Sequence, residues 1–295
     1  MNLSRSRRPE GPPPAPVVQR VRVRYAKRGR LRFVSHRDFA RAFERALRRA
    51  AVPMAYSAGF SPHPKISYVG AAPTGVASEA EYLEVALTHR VDTGELRAAL
   101  DACLPDGIDV LECVEAGLGG GGLADRIDAS AWRIELPGVT VEECQRAVAV
   151  FLQRDVVTVE RLTKDGRRPL DARGPVVRIT VTGGHATQGN AQSESDRDPA
   201  WSCAILDVVV RQATPAVRPD DVLAALRAVV DLAPSAPPRA VRLAQGRLDD
   251  TGRLADPLAA DRVAMLADAD DSPRAEGGPG LGAGRVPSVG SNPAG

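Results

Sequence analysis

From Val18 onward the chain alternates between apolar and polar positions. Val21, Val23 and Tyr25 fall on one side, and Arg22 and Arg24 on the other. A period of two predicts a strand. After Lys27-Arg28-Gly29 the alternation resumes, with Leu31 and Phe33 against Arg30 and Arg32, so the strand is expected to bend near Gly29 and continue. Ser35 and Asp38 stand three apart ahead of a helical run in which Phe39, Phe43, Leu47 and Ala50 recur at spacings of three and four. Pro53 ends that run. Residues 54–69 return to an extended pattern broken by Gly59, Pro62 and Pro64. Glu81 to Thr88 alternates again, Thr93 to Leu104 predicts a short helix on a Leu96, Leu100, Leu104 stripe, and Ile108 to Val114 reads as a strand.

This order, β-α-β-β-α-β, is that of a ferredoxin-like unit. A glycine-rich link, Gly117 to Gly122, leads into what reads as a second copy. It has a strand at Trp132–Leu136 and a helix opened by a Thr140/Glu143 capping box. Strands at Val156–Leu162, Val176–Val181 and Ala204–Arg211 follow, then a helix from Pro219-Asp220 and a last strand at Ala240–Leu243. The fold class predicted is α+β: two tandem ferredoxin-like (βαββαβ) modules with disordered tails. Residues 1–17 form a basic, proline-rich tail and 18–116 the first module. Residues 117–129 are a linker and 130–250 a degenerate second module, with 183–200 as a loose hairpin tip. Residues 251–295, which contain no Ile, Phe, Tyr or Trp beyond Arg253, form a disordered end in which only 257–267 offers a short helix.

Length and composition agree with this layout. The 295 residues suit two small domains. No run approaches the ~18 apolar residues of a membrane span, and Pro12 to Pro14 stand where a signal peptide carries its apolar stretch. Four cysteines without a C-x-x-C pair exclude a disulfide scaffold and a structural zinc site, and no nucleotide-binding glycine motif occurs. The expectation is a soluble, cytoplasmic chain with no metal, no cofactor and no membrane partner.

The net charge of +2 conceals an uneven distribution. Residues 1–50 hold fifteen Lys/Arg against three acids, and residues 51–116 three against ten. Eight of the eleven aromatic residues lie between Tyr25 and Tyr82. Such asymmetry marks a basic face that attracts phosphates. Arg22, Arg24, Arg30 and Arg32 share one strand face if parity survives the bend, and Arg41, Arg45 and Arg48 line the helix. In a ferredoxin-like fold the helices cover one sheet face, and RNA-recognition modules use the other; Tyr25 and Phe33, however, have core parity. Ser35, His36 and Arg37 open the first helix, where exposed amides favour anions.

The stretch from Tyr56 and Ser57 through Phe60, His63 and Lys65 to Ser67 is the most unusual. Pro62 and Pro64 bracket His63 in a stiff, extended backbone, and Lys65, two residues on, projects to the same side. A histidine beside a lysine suits an anion, or proton transfer near neutral pH; the alternative is a rigid loop that packs Phe60 inward and leaves His63 solvated. Among the acids, Glu81 is the candidate retained. Glu79 and Glu84 read as an exposed strand face, and His89 and His185 receive no role. The isolated cysteines Cys103, Cys113, Cys144 and Cys203 read as core packing.

The strings Arg32-Phe33-Val34-Ser35-His36-Arg37-Asp38 and Tyr56-Ser57-Ala58-Gly59-Phe60-Ser61-Pro62-His63-Pro64-Lys65-Ile66-Ser67, continued by Gly75-Val76-Ala77-Ser78 and Glu81-Tyr82, resemble the radical SAM-linked (radical SAM-associated) protein family, a bacterial domain of unknown function, in its stand-alone form. The likeness is strong over 20–90, weaker to about 210 and absent from the tails. This chain has no C-x-x-x-C-x-x-C and so lacks the cluster ligands of the fused form. The resemblance implies an accessory protein serving a separately encoded radical SAM enzyme. The tandem layout is also similar to CRISPR RNA-processing endonucleases, a likeness of fold alone.

Three functions are therefore expected. The first is a non-catalytic module that binds RNA (tRNA or rRNA) or another anionic substrate for the radical SAM enzyme. The second is metal-independent RNA cleavage, with His63 or His36 as acid or base and Lys65 on the developing charge, which requires the two imidazoles to lie near one phosphate. The third is a protein-interaction scaffold for the same partner.

Overall fold

Alternation along Gln19–Lys27 makes β1, whose Val21, Val23 and Tyr25 are buried. The computed structural model describes residues 13–164, 166–184 and 202–271. After β1 come α1 (His36–Arg49), β2 (Ile66–Val69), β3 (Ala77–Leu87), α2 (Thr93–Cys103) and β4 (Ile108–Ala116). A second series follows: β5 (Ala129–Pro137), α3 (Val141–Leu152), β6 (Thr158–Thr163), β7 (Gly166–Asp171), β8 (Val176–Gly184), β9 (Cys203–Arg211), α4 (Pro219–Val230) and β10 (Arg239–Leu248). Two further elements, β11 (Leu254–Ala255) and α5 (Ala259–Asp271), end the described chain.

The result is a mixed α+β fold on one large sheet, in the order β4-β1-β3-β10-β5-β9-β8, with β2 also beside β3 and β11 beside β10. The two series meet where β3 and β10 run parallel, through Val241 opposite Ala77 and Arg242 opposite Ser78. Apolar side chains of α1 and α2 (Phe39, Phe43, Leu47, Leu96, Leu100) cluster with Val21, Val23, Leu83 and Val85. Those of α3 and α4 (Phe151, Val222, Leu226) cluster with Trp132, Ile134, Leu136 and Leu206. Because neighbours in a strand point to opposite faces, Tyr82, adjacent to Leu83, belongs to a third cluster on the reverse face, with Val69, Val114, Leu123, Ile127 and Leu258.

Four expectations are corrected. The strand does not resume after Gly29, which adopts φ +52; Gly29–Phe33 is a short 3-10 helix. It is anchored by Arg28 N–H to the Gly107 carbonyl and Gly75 N–H to that of Arg32. Phe33 therefore leaves core parity and is 58% exposed. β6 pairs with β7 as a separate hairpin rather than with β8. The link after Gly117 is docked: Leu123–Arg126 forms a 3-10 turn, and Leu123 and Ile127 are buried. The C-terminal part from 251 is ordered as far as 271, since β11 pairs with β10 and α5 lies on the reverse face, with Leu258 and Asp261 buried. Short of aromatic and β-branched residues, that segment is held through Leu258 and ion pairs instead of a broad apolar stripe. The expected disorder of residues 1–12, the hairpin tip over 185–200 and the end beyond 271 lie outside the described residues. Among the described residues, no helix is long and apolar enough to cross a membrane.

Candidate functional site

The arginines of β1 are engaged by groups of the protein itself, and Arg22 is buried. Arg22, 1% exposed, donates to Asp261 of α5 at 2.8 and 3.0 Å, to Glu84 at 3.0 Å and to the Gly121 carbonyl at 2.7 Å. Arg24 Nε donates to the Glu79 carbonyl, and Arg28 pairs with Glu79 and Asp109. Asp261 also receives Arg126, and Arg262 pairs with Glu112 and Asp256. The sheet face on which RNA stacking was considered is thus covered by α5 and the 121–127 segment. This removes Arg22 as a contact, because a buried guanidinium with its donors satisfied has none to offer a phosphate. Glu81 is corrected likewise: it is buried and accepts from Arg242 Nη1 at 2.8 Å and from Ala72 N–H at 2.9 Å.

The arginines of α1 stand differently. Ser35 caps the helix, accepting from Asp38 N–H at 3.2 Å, and Phe39, Phe43, Ala46 and Leu47 bury its inner face. That register turns Arg37, Arg41, Arg45 and Arg48 outward within a sector of about 80° at 3.6 residues per turn, along about 17 Å of helix. All four are exposed. The nearest compensation is Asp38, 4.0 Å from Arg41 and itself bonded by the Ser35 hydroxyl. Arg37, Arg45 and Arg48 form no ion pair among the described residues. Just ahead of the helix Arg30 is exposed, and the Arg32 guanidinium lies 4.6 Å over the Phe33 ring.

The proline-stiffened segment beyond α1 closes into a loop. Tyr56 bridges Pro64, Ser57 N–H donates to the His63 carbonyl at 2.9 Å, and His63 N–H donates to Ser57 Oγ at 3.1 Å. Lys65 joins the sheet through Ala55 and Ala86. The side chains of Tyr56, His63 and Lys65 are exposed, and Phe60 at the tip is 80% exposed, so this loop does not pack its phenylalanine inward. His36 belongs elsewhere: its ring meets Tyr68 edge-on at 5.0 Å. Tyr68 is five residues along from His63, up to about 16 Å of extended chain. The loop therefore groups Tyr56, Ser57, His63 and Lys65, while Ser35, His36 and Arg37 group at the start of α1. No hydrogen bond or ring contact joins the His36 and His63 imidazoles to each other. Among the described residues His89 meets Thr88 Oγ, and His185 lies outside them.

A cavity of about 450 Å³ opens where the two series join, lined by Tyr68, Trp132, Arg211, Arg218, Arg242 and Gln245 among others. Arg242 is buried, with its guanidinium 4.5 Å over the Trp132 ring. The sequence signal for it was faint: an arginine flanked by Val241 and Leu243, in a strand whose bulge after Arg242 brings Gln245 rather than Ala244 to the same cavity. Near it, burial lowers the Lys27 pKa, Glu81 opposing and Arg242 adding to the effect. Burial also raises the Tyr25 phenol well above its ordinary value and pushes the Cys113 thiol up to about 12. Among the described residues, no group of three or more His, Cys, Asp or Glu could hold a metal ion.

Compared with known proteins, residues 20–219 match the family described as an uncharacterized protein conserved in bacteria (DUF2344), and the chain belongs to that family. A search of curated proteins finds no match.

Proposed function

We propose that this member of the family is a non-catalytic RNA-binding protein whose contact surface is the outer face of α1. The observation that carries this reading is the row Arg37, Arg41, Arg45 and Arg48, exposed and almost without acidic partners, on a molecule whose overall charge is close to neutral. Cations left in water cost little to keep unpaired, and phosphates replace their counterions with a gain in entropy. Three exposed aromatic residues flank the row in the chain: Phe33 before α1, and Tyr56 and Phe60 after it. Exposed rings beside a cationic track suit unpaired bases, which stack on any π-face. The RNA is read here as tRNA or rRNA with single-stranded loops. From the resemblance of residues 32–82, the protein is assigned to deliver that RNA to a separately encoded radical SAM enzyme in the cytoplasm. Each half is read as a ferredoxin-like unit, supported by the strand orders β4-β1-β3-β2 and β10-β5-β9-β8.

The test is filter binding of the full chain to bulk tRNA and to poly-uridine across a salt series. Binding that weakens linearly in log–log form is expected; flat, weak binding at low salt overturns the reading. The RNA recovered in chelator should be intact. Cleavage abolished by His63→Ala would replace the binding role with the nuclease one.

A further inference from the structure

We propose that the cavity between the two halves is a second site, for a small ligand carrying a phosphate or carboxylate group gripped by Arg242. It is distinct from the α1 surface and does not depend on it. Its volume, about 450 Å³, lies in the range of about 300–1,000 Å³ usual for small-molecule pockets.

The guanidinium of Arg242 is half used. Nη1 donates to the Gly70 carbonyl at 2.5 Å and to Glu81 at 2.8 Å. Among the described residues, the buried Nε has no partner and Nη2 makes no hydrogen bond. Buried donors are nearly always satisfied, and the unpaired Nε–Nη2 edge has the fork geometry that receives two oxygens of one oxyanion. Trp132 on one face and Glu81 at Nη1 fix the plane of that fork.

Charge selects the sign of the ligand. One carboxylate, Glu81, serves both Arg242, as an ion pair, and Lys27, through space. Lys27, 5% exposed, donates to the Pro73 carbonyl at 3.5 Å, and Arg211 and Arg218 are exposed at the rim without ion pairs among the described residues. An anion entering here meets a net positive field, weakly screened because the floor is buried. The first turn of α4 adds little: Asp221 already accepts from Arg218 N–H and pairs with Arg161. The grip rests on Arg242. Its hydrogen bonds to Gly70 and Glu81 tie β10 to the β2–β3 half, so an occupied site should also brace the junction.

The experiment is thermal melting and titration calorimetry of the full chain with inorganic phosphate, pyrophosphate and citrate, against chloride of matched ionic strength. Phosphate or pyrophosphate raising the melting temperature above the chloride control identifies a phosphoryl ligand; citrate alone doing so identifies a carboxylate. Arg211→Gln/Arg218→Gln, at exposed positions, should weaken binding about tenfold. Arg242→Lys, which keeps the charge and loses the fork, should abolish it. If Arg242→Lys does not fold, the rim pair decides. Arg37→Gln/Arg41→Gln/Arg45→Gln should bind the small anions like the parent, which separates this site from the RNA surface. The proposal is overturned if no anion exceeds chloride, if the rim pair binds like the parent, or if the α1 variant loses the small anions.

Discussion

Arg22 and Asp261, 239 residues apart in the chain, meet inside the protein: Arg22 Nη1 reaches both carboxylate oxygens of Asp261, with 1% and 6% of the side chains exposed. This pair and the neighbouring Arg126–Asp261 bridge fasten α5 across the reverse face of the sheet. One contact thereby explains both why α5 is held on the sheet and why Arg22 of β1 is closed to ligands.

Asp261→Ala leaves Arg22 and Arg126 without their shared acceptor, and should lower unfolding stability by about 3–5 kcal/mol in urea, the usual cost of stranding a buried charge. Arg22→Met/Asp261→Leu should recover most of the loss. An unchanged midpoint for Asp261→Ala would mean that α5 contributes nothing to holding the sheet.

The α1 row predicts a graded salt response. Each of Arg37→Gln, Arg41→Gln and Arg45→Gln should reduce the slope of log affinity against log salt by up to about 1 unit in RNA filter binding. Arg22→Gln should leave the slope alone while lowering stability. Equal slopes for parent and the α1 triple variant would move the RNA contact off α1.

Aromatic residues divide by exposure. Phe60→Ala should cost about 1–3 kcal/mol of single-stranded RNA affinity and shift stability by no more than about 0.5 kcal/mol. Phe39, stacked on Tyr25 with ring centroids 4.5 Å apart, should cost about 3–5 kcal/mol of stability when cut to alanine. Urea melts and poly-uridine binding on the same two variants distinguish the roles.

Lys27 sets a pH signature. Its folded value lies below the ordinary 10.5, chiefly through burial. Between the folded value and 10.5 the unfolded chain carries a proton that the folded chain has lost, so this residue makes stability rise with pH across that window. Tyr82, pushed up to about 12 by burial, acts in the opposite sense above pH 10. Lys27→Met should therefore be more stable than the parent at neutral pH, with the advantage shrinking as pH rises. Urea midpoints at several pH values measure that difference, and a gap that does not narrow would place Lys27 in water.

Much of this was readable from local pattern. Ser35, Phe39, Phe43 and Leu47 fix both the start of α1 and which arginines face outward, and Pro62, His63 and Pro64 announce the stiff loop. Strand parity failed at Phe33 because Gly29 takes a positive φ and the next residues coil into a turn, a change that two-residue alternation cannot register. Arg242 was missed for a different reason. One arginine in a strand looks the same whether it faces water or a buried glutamate.

The sequence alone determined the α+β class and the places of α1 to α4, the inward face of α1 and the basic bias of the first fifty residues, since these depend on spacings of two to four residues and on composition. Only the tertiary structure decided which arginines are available. Arg22 and Arg37 carry the same charge, but Arg22 is met by a carboxylate 239 positions away, and Arg37 is exposed with no ion pair among the described residues. An ion pair forms through space, and the distance along the chain between its partners leaves no mark on the local pattern of either.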